Sequence, residues 1–121
     1  MKKQTWTLLS FSLFLLSLLS TQSYAETIKL TQAQYDQKMA EYTATVNSTK
    51  TVLDAKDNQA TATEMKTAFC QRMDAYHQIA ALSKANIELS TAPVMLMVAN
   101  RYLEQQEKSL TDSGMNESAF C

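Results

Sequence analysis

Hydrophobic residues follow two different patterns along this chain. Near the start they form one run, residues 8–19, that only serines interrupt. From residue 35 onward they recur every three or four positions, which is the spacing of residues on one face of an α-helix. The pattern predicts a short apolar leader followed by an all-α region.

The leader has the layout of a secretory signal peptide. Lys2 and Lys3 precede the apolar run, and Ser23 and Ala25 place small residues at the −3 and −1 positions of a cleavage site. The run is too short to span a bilayer. We predict a bacterial signal peptide over residues 1–25 and a single mature domain over 26–121, which works in the periplasm or is secreted.

Two long helices are predicted first in the mature region. One follows Thr31, with Gln34 completing a capping box, and ends around residues 56–58. The next follows Thr61, with Glu64 in the same role, and runs to about Glu88. The predicted apolar stripes are Tyr35, Met39, Tyr42, Val46 and Leu53 in the first helix, and Met65, Phe69, Met73, Tyr76 and Ala80 in the second.

A third predicted helix begins at Ser90 or Thr91, carries Pro93 in its first turn and stops at Gly114. Residues 115–121 follow as a tail. Short connections favour antiparallel neighbours, so the expected fold is a three-helix up-down-up bundle. A helical hairpin with a loosely packed third helix is the main alternative.

Cys70 and Cys121 are the only cysteines, and an even number in an exported chain predicts a disulfide. The tail of seven residues can extend to roughly 23 Å, which is enough to fold back to Cys70. Phe120 would then pack beside the bridge.

Composition removes several classes of function. Without Lys2 and Lys3, nine basic residues face twelve acidic ones, a net charge of −3. A mildly acidic domain with no basic cluster argues against nucleic acid as a partner. No second apolar run could span a membrane, so no stable membrane insertion is expected.

Catalytic and metal-binding patterns are weak. We see no nucleophile–base set, so an enzyme is not predicted, and no cofactor motif is present. Cys70, Asp74 and His77 share one helix face and include possible metal ligands. Because the predicted disulfide takes Cys70, Asp74 and His77 remain only weak metal candidates.

Four residues stand out as a possible interface: Arg72, Tyr76, Arg101 and Tyr102. Arginine and tyrosine are enriched at interface hot spots, and each of the two arginines lies beside or one turn from a tyrosine. The competing interpretation is a structural Arg–Asp or Arg–Glu bridge between the second and third helices.

The leading hypothesis is a non-catalytic module that binds another exported or envelope protein, for example as an immunity protein or inhibitor. Residues 30–34 (LTQAQ) resemble the LTxxQ string of the Spy-like periplasmic stress chaperones. That resemblance implies the alternative, a periplasmic chaperone-like helper. Metal or small-ligand binding is the third hypothesis.

Overall fold

The computed structural model describes residues 29–57 and 59–121, so the predicted signal peptide lies outside the described residues. This part of the chain forms four helices and no strand, and the predicted all-α class is confirmed. The helices are α1 (Gln32–Leu53), α2 (Ala62–Ala85), α3 (Ala92–Asp112) and the short α4 (Glu117–Phe120). None of the helices in residues 29–57 and 59–121 is long and apolar enough to cross a lipid bilayer.

The starts of α1 and α2 follow the predicted capping chemistry, whereas Thr91, the N-cap residue of α3, makes no side-chain capping bond. The Thr31 hydroxyl accepts a bond from the Gln34 backbone N–H at 3.3 Å, and the Gln34 side chain accepts from the Thr31 N–H at 3.0 Å. Thr61 and Glu64 form the same reciprocal pair, at 3.2 and 2.7 Å. Each box satisfies donors that the first turn of a helix leaves unpaired.

Gly114 ends α3 with a left-handed backbone, at φ 74°. Its N–H donates to the Thr111 carbonyl at 2.9 Å, and the Met115 N–H donates to the Leu110 carbonyl at 2.8 Å. This pair of bonds is a Schellman motif, in which glycine avoids the steric cost of positive φ.

The helices run up, down and up, and α1 and α3 both pack mainly on α2. The segment before α1 is fixed to the end of α2, because the Leu30 N–H donates to the Asn86 side chain at 2.7 Å and Lys29 donates to the Ala85 carbonyl at 2.7 Å. Helix α2 is therefore the central element, and α1 and α3 lie parallel to each other on it.

The core lies where α2 meets both neighbours. Tyr35 is fully buried there, and its hydroxyl lies 2.6 Å from the hydroxyl of Ser83. The two polar groups satisfy each other in a region that water does not reach. The central buried cluster consists of Tyr35, Met39, Ile79, Ala92 and Ala99.

Several helix limits differ from the predicted ones. Helix α1 ends at Leu53 rather than at residues 56–58, and α2 ends at Ala85 rather than near Glu88. Met65, which was predicted to lie in the core stripe, is exposed. Since α2 contacts α1 on one side and α3 on the other, its buried face is broader and includes Ala68, Ala75 and Ser83 beside Met73 and Ile79.

The predicted disulfide between Cys70 and Cys121 is present. It brings α4 against α2, and the Phe120 ring packs edge-on against Phe69 with centroids 5.3 Å apart. The ammonium group of Lys66 lies over the Phe120 ring, 5.5 Å from its centroid. The predicted tail is thus partly helical and is packed around the bridge.

Candidate functional site

The structure separates the four predicted interface residues into a group of three and one that stands apart. Tyr76 of α2 and Tyr102 of α3 stack with ring centroids 4.0 Å apart and planes 22° from parallel. Arg72 lies one turn before Tyr76. Burial raises the pKa of Tyr102, and the charge of Arg72 opposes this increase. These three side chains belong to the junction between the helices.

Arg72 is mainly a link to α1. Its side chain is 11% exposed and donates to the Thr49 hydroxyl at 2.6 Å and to both carboxylate oxygens of Asp54 at 3.0 and 3.2 Å. Asp54 is the C-cap residue of α1. The predicted alternative of a bridge between the second and third helices is wrong for Arg72, because its carboxylate partner lies at the end of α1.

The ionisation of this junction follows from its contacts. The hydrogen bond from Arg72 lowers the pKa of Asp54 below its ordinary value. Burial is the largest influence on Arg72 and by itself lowers its pKa, but the bond and charge of Asp54 together raise the pKa above normal. Burial also raises the pKa of Tyr102. The junction therefore holds one ion pair beside a neutral tyrosine.

Arg101 lies elsewhere, exposed on the outer face of α3. No hydrogen bond or ion pair joins its side chain to another of the described residues. A bridge between the second and third helices is therefore also wrong for Arg101. Of the two arginines, Arg101 alone keeps its charge available at the surface.

The two weak metal candidates, Asp74 and His77, do not share a partner. His77 Nε2 lies 2.9 Å from a carboxylate oxygen of Glu117, so it joins α2 to α4, while Asp74 is exposed. Cys70 is in the disulfide. Across the described part of the chain, no three His, Cys, Asp or Glu side chains come together in a way that could hold a metal ion.

The first half of α3 exposes an unusual amount of apolar surface. Residues 92–99 (APVMLMVA) contain no polar side chain. Three of them are exposed, Val94 by 56%, Met97 by 64% and Val98 by 45%. Because spacings of three and four residues bring side chains together on a helix, these three form one surface, which we call the α3 apolar face.

A groove runs beside this face, between α1 and α3. Val98 belongs both to the groove and to the α3 apolar face, so the two surfaces are continuous. Two neighbouring cavities share Thr43, Asn47 and Met95 and so form one channel, with Asp36 at one end and Lys50 at the other. We call this channel the α1–α3 groove. Thr91, Met95 and Val98 line it at the start of α3, and Tyr76 and Ile79 line it from α2. Between Asp36 and Lys50, the lining residues of α1 are Met39, Ala40, Thr43, Ala44, Val46 and Asn47.

Sequence reasoning placed Arg101 at a possible interface but missed the apolar face and the groove next to it. The signal was present in residues 92–99, since a helix of a small domain that is apolar on every side must either be buried or be covered by a partner. The groove could not be read from spacing, because it depends on how far α1 and α3 are separated on α2.

Comparison with protein-family models, with curated proteins and with solved structures gives no match to this chain.

Proposed function

We propose that the chain is an exported, non-catalytic module that binds another protein of the bacterial envelope through the α3 apolar face and the α1–α3 groove. An immunity protein or inhibitor of an envelope enzyme is one form of such a module. The observation that carries the proposal is the exposure of Val94, Met97 and Val98 in a helix segment without polar side chains.

Exposed apolar residues that occur singly are normal, but a contiguous apolar patch beside a groove is typical of an interaction site. Methionine is also favoured at binding surfaces, because its flexible side chain adapts to a partner. Helix-in-groove docking is a common mode of recognition and needs apolar positions at the spacing seen here.

Export is part of the same proposal. Residues 1–25 supply the predicted signal peptide, and the Cys70–Cys121 disulfide is typical of proteins in oxidising compartments. The bridge also holds α4 on α2, away from the α3 apolar face. Oxidation would therefore stabilise the module without covering the surface assigned to the partner.

Capture from a native envelope extract tests this function when it compares three baits, all as the oxidised mature protein. The wild type is compared with Met97→Glu, which places a charge in the α3 apolar face. Met115→Glu is the matched control, because Met115 is 43% exposed but lies beyond the end of α3. We expect one stoichiometric partner with the wild type and the control, and its loss with Met97→Glu.

Other outcomes have distinct meanings. Many unrelated proteins, all lost with Met97→Glu, would favour the chaperone-like helper over a dedicated partner. Equal capture by all three baits would contradict the proposed surface, and the absence of any captured protein would contradict the binding function.

A further inference from the structure

The α1–α3 groove has a shape and a charge pattern that indicate what fills it. We propose that its occupant is an amphipathic helix of the partner protein, which runs antiparallel to α1 and α3 and carries acidic residues in its first turn. This inference rests on the proposed function and goes further, because it assigns the conformation, direction and charge of the bound segment.

The dimensions of the groove fit a helix. Asp36 and Lys50 mark its ends and are fourteen residues apart on α1, a distance of about 21 Å at the rise of an α-helix. Four helical turns of a partner span the α1 side, whereas the α3 side extends from Thr91 to Val98, about 10 Å. The α1 side includes the small side chains of Ala40, Thr43 and Ala44 beside Met39 and Val46, and small side chains permit close approach of a helix backbone.

The apolar part of the groove lies toward the Lys50 end. Met95 and Val98 line it from α3, and Tyr76 and Ile79 lie beneath. A helix that places apolar residues at three- and four-residue spacing against these side chains would complete a four-helix arrangement.

The two ends of the groove differ in charge. Asp36 lies at the end near Thr91, where α1 and α3 begin. Lys50 lies at the opposite end near Val98, and Arg101 follows Val98 by one turn of α3. No hydrogen bond or ion pair links Lys50 or Arg101 to a side chain among residues 29–57 and 59–121.

The charge of Lys50 interacts with the carboxylate of Asp54, but both oxygens of that carboxylate accept hydrogen bonds from Arg72. The end of the groove therefore presents the Lys50 ammonium to an incoming chain, and Arg101, which does not line the groove, adds a second exposed cation beyond Val98 on α3. Acidic residues are favoured in the first turn of a helix by its own dipole. A partner helix with its acidic first turn at this end satisfies its own dipole and also places its carboxylates near the cations of the protein. Such a helix runs antiparallel to α1 and α3.

A second copy of this chain fits the surface less well. If two α3 helices paired antiparallel about Met97 and Val98, residues whose numbers sum to 195 would face each other. Arg101 of one copy would then lie against Val94 of the other, with no carboxylate opposite it. Burying an arginine against an apolar residue is unfavourable. The charge pattern therefore favours a different chain with acidic residues.

Two synthetic peptides of fourteen residues test the inference against the oxidised mature protein. Both have the same composition, a leucine face and one tryptophan, but one has glutamates in its first turn and lysines in its last, and the other has the reverse. Trp6 is the only tryptophan of the chain and lies in the predicted signal peptide, so the fluorescence of the peptide tryptophan reports binding. We expect the peptide with the acidic first turn to bind at least tenfold more tightly.

Charge reversal in the protein supplies the second arm. In the double variant Lys50→Glu/Arg101→Glu we expect the preference between the peptides to reverse. Lys84→Glu is the control, because Lys84 is an exposed lysine of α2 outside the groove, and it should leave the preference unchanged. Circular dichroism of each variant verifies that the helices form.

Equal affinity for the two peptides, or no binding of either, would overturn the inference. Neither result would overturn the proposed function, which is judged by the loss of captured partner with Met97→Glu. Conversely, if a preference appears between the peptides but Met97→Glu still captures the partner, the groove binds helices while the α3 apolar face is not the docking surface.

Discussion

The part-buried side chain of Arg72 leads to the sharpest stability prediction. The variant Arg72→Met keeps an aliphatic side chain but removes the donors to Thr49 and Asp54. The bond to Thr49 is short and partly buried, and hydrogen bonds that involve a charged group contribute about 1.5–3 kcal/mol. We therefore expect Arg72→Met to lower the free energy of unfolding by about 2 kcal/mol, most of it from this bond.

For a domain of this size, 2 kcal/mol corresponds to a decrease in Tm of about 10 °C. Thermal unfolding followed by circular dichroism measures it. Arg101→Met is the matched control, since it removes an exposed arginine that has no ion pair within residues 29–57 and 59–121, and such a change should alter stability by less than about 0.5 kcal/mol. Equal decreases in Tm for the two variants, or no decrease for Arg72→Met, would refute the structural role of Arg72.

The same junction predicts a pH dependence. Because the folded state lowers the pKa of Asp54 below its ordinary value of 3.8, the folded protein binds this proton less readily than the unfolded chain. The stabilisation from Asp54 is therefore fully present above that pH and is lost as the pH falls through the lowered pKa. Asp54→Asn should make the unfolding free energy less sensitive to pH below 3.8 than in the wild type. Urea unfolding at several pH values measures this free energy. The same dependence of the unfolding free energy on pH in the variant and the wild type would contradict the prediction.

Three further predictions concern stability. Replacing Cys70 and Cys121 with serine opens a loop of 51 residues, and the chain-entropy model gives a loss of about 4 kcal/mol, measurable by urea unfolding without a reductant. Tyr35→Phe should lower the free energy of unfolding by about 1–2 kcal/mol because it leaves the Ser83 hydroxyl unpaired. Adding Ser83→Ala should recover part of that loss, and strict additivity in the double-mutant cycle would argue against the bond. Gly114→Ala should lower the free energy of unfolding by about 1 kcal/mol because alanine is strained at φ 74°. Nothing lies within 4 Å of the added carbon, so an unchanged Tm would show that the turn readjusts.

The local parts of the fold were predictable because their partners are close in sequence. The capping boxes at Thr31 and Thr61 each need one residue three positions away, and the end of α3 needs a glycine at position 114. Such interactions are encoded within a single turn, so the residue types alone identify them. The disulfide was predictable for a different reason, since only two cysteines are present.

Contacts between helices were less predictable because they depend on how each helix is rotated and shifted along its neighbour. Ser83 was not identified as the buried partner of Tyr35, and Met65 was placed inside although it is exposed. Both outcomes follow from the central position of α2, which must present a broad face to two neighbours. A single apolar stripe describes a helix that packs on one side only.

The candidate surface was partly visible in the sequence. Arg101 was identified, but the exposure of the apolar residues before it was missed, because a hydrophobic helix in a small domain is usually buried. The structure shows that α3 contacts mainly α2, which leaves Val94 and Met97 in solvent. Only the arrangement of the three helices distinguishes core from surface in such a segment.

The position of the disulfide also determines how the protein would respond to mechanical force. Cys70 and Cys121 close a covalent ring that contains most of α2 and all of α3 and α4, while α1 lies outside it. If the chain were pulled between Lys29 and Cys121, the load would pass through α1 and the start of α2 and cross the sulfur–sulfur bond. The oxidised chain could then lengthen to about 140 Å, and reduction would release roughly 180 Å more from the ring. The α3 apolar face lies within the shielded part, so tension would detach α1 from α2 while α3 stayed on its covalent ring.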